Sequence, residues 1–302
     1  MGKHIIFALL AGILFFIFGF TLWREENPEW KNYQNAYYKK LAEKTGRPEL
    51  ADTPFTIQQI WRESLDRTDR CTTCHMGIDK ENFIDEPQPY KTHPNLASYQ
   101  KSHPFEKFGC TICHEGDGRA TVYNRTHGAV KHLERQLLKG GYVQASCTKC
   151  HSEVYIPGGS FPATPALMEG KRLVGEKGCG ACHTIKQLGT AGIVGPELSA
   201  FGSTTELAFE LLHEFRYVTK ARVYEEPTMA DWVIEHFLDP QRIVPGNPAL
   251  NIPPTVMPNF GLSEEEAKIL AIFVMSLKDP KVEKIPSDYL PATTSLYRST
   301  PG

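Results

Sequence analysis

The chain has 302 residues, enough for more than one domain, and 33 basic against 35 acidic residues leave a formal net charge of −2. That balance lacks the basic excess of a nucleic-acid-binding protein, so no nucleic-acid partner is expected. Hydrophobic content is ordinary at 41 %, but 22 prolines and 24 glycines suit short regular elements wrapped around large cofactors.

Residues 5–23 form the first element, an apolar run without a charge, preceded by Lys3 and His4 and closed by Arg24-Glu25-Glu26. Its length is close to the ~20 residues that cross a hydrocarbon core as one helix. Trp23 stands where an interfacial aromatic belongs. A cleaved signal peptide would have a shorter apolar core and a small-x-small site, which Phe20-Thr21-Leu22-Trp23 does not offer. Residues 1–26 are therefore expected to be a transmembrane anchor.

A juxtamembrane helix and linker are expected over residues 27–54. Trp30, Tyr33, Tyr37 and Leu41 recur at three- and four-residue steps, with Pro28 at the start and Gly46 at the end. This face packs either on its own domain or against partner subunits and headgroups, where aromatics with a polar tip are at home.

The chemistry begins at Cys71-Thr72-Thr73-Cys74-His75. The pattern recurs at Cys110-Thr111-Ile112-Cys113-His114, Cys147-Thr148-Lys149-Cys150-His151 and Cys179-Gly180-Ala181-Cys182-His183, and all eight cysteines lie in these pairs. C-x-x-C-H is the attachment pattern of c-type haem. Two thiols at that spacing form thioethers to the two vinyl groups on one haem edge, and the adjacent histidine becomes the proximal iron ligand. Zinc sites also use C-x-x-C but need no histidine directly after each pair. Four covalently bound haem c groups are expected, with Cys71, Cys74, Cys110, Cys113, Cys147, Cys150, Cys179 and Cys182 as attachment points. His75, His114, His151 and His183 are the expected proximal ligands. Haem of this type is attached outside an energy-transducing membrane. The expected topology thus puts the N-terminus in the bacterial cytoplasm and the haem domains on the periplasmic side.

Residues 55–160 hold three of these sites, with room only for short helices between them. A second histidine on each iron would make a low-spin electron-carrying centre, whereas an open sixth position would allow ligand chemistry. His93, His103, His127 and His132 are the candidates, four for three irons. His93 and His103 each precede proline, which favours extended backbone. His127 precedes, and His132 lies within, a helix expected over residues 128–139, ended by Gly140-Gly141. His213 and His236 are weaker candidates on later helices.

Residues 30–38, Asp69 to Asp79 (DRCTTCHMGID), His103 to Thr121 (HPFEKFGCTICHEGDGRAT) and Tyr142 to His151 (YVQASCTKCH) resemble membrane-anchored multihaem cytochromes c. Such chains accompany cytochrome b and a Rieske iron–sulfur protein in some bacterial quinol–cytochrome c oxidoreductases. The resemblance implies an electron-accepting subunit on the outer face, working with those two partners and a soluble electron carrier.

Residues 161–280 change character. A helix over 166–177 leads into the fourth pair, then come Gly195-Pro196-Glu197-Leu198, helices near 205–219 and 229–238, and Thr255-Val256-Met257-Pro258. Ser263-Glu264-Glu265-Glu266 opens a last helix with acidic residues in its first turn. This order is similar to a class I cytochrome c domain. By that resemblance Met257 is the distal ligand and the Pro196 carbonyl accepts the His183 Nδ1–H, a bond that fixes the ring. The interval from His183 to Met257 is long, so residues 199–232 are expected as an insertion and a possible docking surface. A histidine–methionine pair raises potential relative to bis-histidine, giving electrons a downhill exit at His183. Residues 281–302 read as an extended tail.

The expected fold is mainly α: one N-terminal transmembrane helix, a haem-packed irregular multihaem domain and a C-terminal class I cytochrome c domain. The expected role is electron transfer, with no catalytic step in this chain alone. The rivals are a donor to another membrane complex such as a photosynthetic reaction centre, and a haem enzyme with an open iron site.

Overall fold

The computed structural model describes residues 2–128, 130, 133–156, 158–159, 161–213, 215–218 and 227–291. Helices dominate, and they are short after the first two. In chain order they are α1 (Gly2–Glu26), α2 (Glu29–Thr45), α3 (Leu96–Ser102), α4 (Phe105–Phe108), α5 (Thr111–His114), α6 (Tyr123–His127), α7 (Pro165–Glu176), α8 (Glu206–Leu212), α9 (Met229–Leu238), α10 (Pro240–Ile243), α11 (Glu264–Ser276) and α12 (Pro280–Glu283). Strands β1 (Ile60–Arg62) and β2 (Arg67–Asp69) pair between α2 and α3. The chain forms two compact units that interleave in sequence. One comprises Met1–Ile60, Arg70–His103 and Arg119–Tyr123, and the other Trp61–Asp69, Pro104–Gly118 and Asn124–Gly302.

In the first unit, α1 buries none of its residues and is long and apolar enough to cross a membrane. A signal sequence passes the same test. Helix α2 starts after Pro28 and ends at Gly46, whose φ of 66° is the left-handed conformation that glycine adopts at low cost. Its buried face is Trp30, Gln34, Tyr37, Tyr38 and Ala42, at helical spacing. Tyr37 and Tyr38 join Phe83 and Tyr90 in a small aromatic core, so the helix packs on its own unit. Lys40 and Lys44 both reach Glu86, at 2.8 and 3.0 Å.

The second unit is built on α7, α9 and α11. Leu167, Leu173 and Val174 of α7 and Trp232 and Val233 of α9 are buried together with Leu270, Ala271 and Phe273 of α11. Burying each large apolar side chain of this kind is worth about 1.5–3 kcal/mol. At Gly170 a Cβ would lie 2.6 Å from Phe273 Cβ and 2.8 Å from the Ile269 carbonyl, so glycine permits this close approach of α7 to α11. Thr228 caps α9 and Ser263 caps α11, each with a reciprocal capping box.

One sequence expectation is corrected here. The described residues between 128 and 139 form no helix, because their hydrogen-bonding groups are engaged elsewhere. Leu138 N donates to the His114 carbonyl at 2.7 Å, and Gln136 holds both the N–H and the carbonyl of Val130. His132 lies outside the described residues. The described part of 199–232 packs into the main core through Phe209, Val218 and Trp232.

Candidate haem-attachment sites

All four cysteine pairs adopt one backbone turn. The carbonyl of the first cysteine accepts two N–H groups, from the second cysteine and from the histidine. At Cys71 these distances are 3.2 and 2.9 Å, at Cys110 3.2 and 3.0 Å, at Cys147 3.2 and 2.9 Å, and at Cys179 3.2 and 3.0 Å. Such bonds bring the two thiols and the imidazole to one side of a tight helical turn. None of the eight cysteines is in a disulfide. Among the described residues no three His, Cys, Asp or Glu side chains are grouped to hold a single metal ion.

The turns are supported differently. In the first unit, Gln34 of α2 is fully buried and donates to the carbonyls of Thr56 (2.6 Å) and Thr73 (3.0 Å), while its Oε1 accepts Thr56 N. Thr73 Oγ1 in turn exchanges hydrogen bonds with the Gln58 backbone, both at 3.0 Å. In the second unit, the buried Asp69 carboxylate accepts Cys110 N and Thr111 N at 3.0 Å each. Thr148 Oγ1 donates to Ser276 O at 2.6 Å, tying the third turn to α11. Gly195 lies so close to His183 that a Cβ there would be 2.7 Å from Nδ1. Sequence reading missed Gln34 and Asp69 as supports. The signal available was a glutamine on an otherwise aromatic helix face, and an aspartate just ahead of the first pair.

The donor set fits haem c. His114 Nδ1 faces the Leu138 carbonyl at 3.4 Å, His151 Nδ1 the Glu153 carboxylate at 2.7 Å, and His183 Nδ1 the Pro196 carbonyl at 2.8 Å. The last is the bond that the class I resemblance implies. Donation from Nδ1 fixes the tautomer that presents Nε2 to a metal. Burial pushes the Cys74 and Cys150 thiols up to about 11 and Cys147 up to about 12, and raises Cys113 and Cys179 too. Sites that disfavour a thiolate suit sulfurs that finish as uncharged thioethers, and suit zinc poorly.

The distal candidates divide between the units. His93 and His103 are in the first, with the Cys71–Cys74 pair, and flank Tyr99 at ring-centroid distances of 4.8 and 6.3 Å. His93 Nδ1 lies 2.7 Å from the Pro94 carbonyl and His103 Nδ1 2.9 Å from Ser102 Oγ. His127 ends α6 in the second unit, with Nδ1 2.7 Å from Thr126 Oγ1. Met257 is half-buried in the loop before α11, with its carbonyl accepting Gln241 Nε2 and its N–H donating to Thr255 Oγ1 at 3.2 Å.

Directly after His114, Glu115 is buried among four cations. Lys149, inside the third pair, makes an ion pair with it, and Arg67, Arg135 and Lys278 lie at 3.8, 3.9 and 4.0 Å. Neither carboxylate oxygen has a hydrogen bond of normal geometry among the described residues, so the contacts are ionic. Burial works against ionisation, but these cations outweigh it and hold Glu115 down at about 2. Burial lowers Lys278 to about 8. Glu283 accepts from Arg135 at 3.2 Å and is the second acid of the cluster. Four cations against two carboxylates leave unbalanced positive charge, which suits the two propionates of a haem. A cavity of about 170 Å³ adjoins the cluster and is lined by His127, Glu115, Arg135, Lys278 and Glu206. Burial raises Glu206 to about 7, against the opposing effect of its hydrogen bond from Met229 N.

A domain closed by α7 and α11, carrying C-x-x-C-H with its histidine held by a G-P-x-L carbonyl, defines a haem-binding electron-transfer protein of c type. Residues 167–278 match the family model for cytochrome c. The C-terminal part of the chain is thus a cytochrome c domain with covalently bound haem c. No curated protein and no solved structure matches the chain.

Proposed function

We propose that the chain is a membrane-anchored tetrahaem cytochrome c, the electron-transfer subunit of a bacterial quinol-oxidising complex of the bc type. The observation that carries the haem count is the single backbone turn repeated at all four pairs. Bound haem supplies a one-electron iron centre at each turn. Three centres are read as bis-histidine, drawing on His93, His103, His127 and His132, and the fourth as His183 with Met257. Helix α1 supports the anchor by length and composition, with the haem domains on the periplasmic side. Cytochrome b and a Rieske protein are the proposed partners, on the resemblance of residues 30–38, 69–79, 103–121 and 142–151.

The exit to a soluble carrier is placed at the cytochrome c domain. Ile193, whose backbone pairs with His183, is 91 % exposed, and Val256 beside Met257 is 74 % exposed. An apolar rim around one centre suits brief docking of a partner with its own exposed haem edge.

Isolation in mild detergent with haem staining, intact-mass measurement and identification of co-migrating chains tests this reading. The expected result is four haem masses on the polypeptide, with cytochrome b and an iron–sulfur protein alongside. Isolation of the chain alone, or with reaction-centre subunits, refutes the bc assignment, and fewer than four haems refutes the count.

A further inference from the structure

The second and third attachment turns touch each other. Lys149 is one of the two residues between Cys147 and Cys150. Its Nζ donates at 2.8 Å to the carbonyl of Ile112, one of the two residues between Cys110 and Cys113. The lysine side chain is 1 % exposed, and Ile112 is buried with it. The neighbouring Thr111 carbonyl accepts Arg67 Nη1 at 3.1 Å, so both middle carbonyls of the second turn take a bond from a cation. Lys149 and Arg67 then meet on one carboxylate, that of Glu115, the first in an ion pair and the second at 3.8 Å. The first and fourth turns are held by their own neighbourhoods. Thr73 of the first bonds the Gln58 backbone, and at Gly180 of the fourth a Cβ would lie 2.4 Å from the Thr190 side chain.

A lysine is a costly choice for that place. Taking an ammonium out of water is unfavourable, and a neutral glutamine could donate to the same carbonyl. What the lysine adds is a charge held between two attachment turns. A buried charge acts more strongly on its surroundings than one in water, and a cation near a redox centre favours the reduced form and raises the potential.

We infer that the second and third attachment turns form one two-centre unit, with Lys149 as the positioning residue whose bond fixes one turn against the other and whose charge raises the potential of both centres. This rests on the proposed haems at Cys110–Cys113 and Cys147–Cys150. Glu115 carries the opposite sign beside it, so the two side chains tune the same pair of centres in opposite directions.

The test uses the full-length haem-loaded protein in detergent, in four forms: unaltered, Lys149→Gln, Lys149→Arg and Glu115→Gln. Haem on the two peptides is read first by mass spectrometry. A missing haem refutes the four-haem reading and this unit with it, whereas the outcomes that follow concern the unit alone. In a redox titration, Lys149→Gln should lower two of the four midpoint potentials together. Glu115→Gln should raise the same two, and Lys149→Arg should leave all four in place. A clasp with only a structural role would weaken the fold of Lys149→Gln without moving two potentials in step. Any other pattern, whether one centre shifted, all four equally or none, overturns the inference. The unaltered protein gives a second reading that no folding defect can remove. In the EPR spectrum of its fully oxidised form, at least two ferric signals should broaden each other and sharpen when one of them is reduced. Four mutually independent signals overturn the inference.

Discussion

The Cys71 turn and the Cys147 turn have the same backbone hydrogen bonds but opposite surroundings. The first is held by neutral groups, with Gln34 and Thr73 exchanging hydrogen bonds with backbone. The second carries a lysine between its cysteines, and that lysine enters a cluster of four cations and two carboxylates around the buried Glu115. The shape of an attachment turn is therefore local, while its electrostatic setting is chosen by residues far away in sequence. A neutral clamp is indifferent to pH; a charged one is sensitive to it, and it shifts the potential of any redox centre nearby.

The largest effect is expected from Glu115→Gln, which leaves four cations, two of them buried, facing one remaining acid. Losing one partner of a buried ionic set costs about 3–5 kcal/mol. Thermal unfolding followed by circular dichroism should show the loss, and a change near zero would mean that the cluster does not hold the second and third turns.

The same carboxylate predicts an acid transition. Its folded value of about 2 lies below the ordinary 4.5, so its contribution is present above pH 4.5 and disappears as the pH falls toward 2. Glu206 has the opposite sign. With a folded value of about 7, it binds a proton more tightly folded than unfolded, so stability falls as the pH rises from 4.5 to 7. Denaturant titrations across pH should show Glu115→Gln flattening the acid limb and Glu206→Gln flattening the neutral limb.

Gln34→Ala should cost about 1–3 kcal/mol, the penalty for stranding buried polar groups. Hydrogen exchange should locate the loss at residues 70–75 and leave 147–151 protected. Equal loss in both turns would erase the distinction between them. The smallest effect is expected from Ser263→Ala, which removes the cap of α11 at a cost of about 0.5–2 kcal/mol and touches no charge. It serves as the reference for destabilising the second unit without altering its cluster.

Elements governed by local chemistry were legible in the sequence. Helix α9 spans residues 229–238 as expected, α2 runs between its proline and glycine, and Ser263 with Glu266 announced the start of α11. The segment 128–139 was misread because its composition permits a helix while Leu138, Gln136 and Arg135 find partners elsewhere. Arg135 alone reaches Gly202, Ser203 and Glu283. Residues 199–232 read as an insertion from the spacing of His183 and Met257, and that spacing gave no sign that Phe209 would be 1 % exposed in the core. The Glu115 cluster was invisible for a related reason: its members are separated by long stretches of chain, and each alone reads as a surface charge.

In each attachment turn the first cysteine's own carbonyl accepts both bonds, so the turn closes locally even though residues such as Gln34 and Asp69 anchor it from a distance. A chain with α2 unpacked and the Glu115 cluster unformed can then bring the two thiols and the histidine of a turn together early. Where haem is attached, attachment can precede folding, and the bound group can seed the packing of its own unit. Maturation and folding share a starting point, and a lesion in one of the four turns would register first as a failure of assembly.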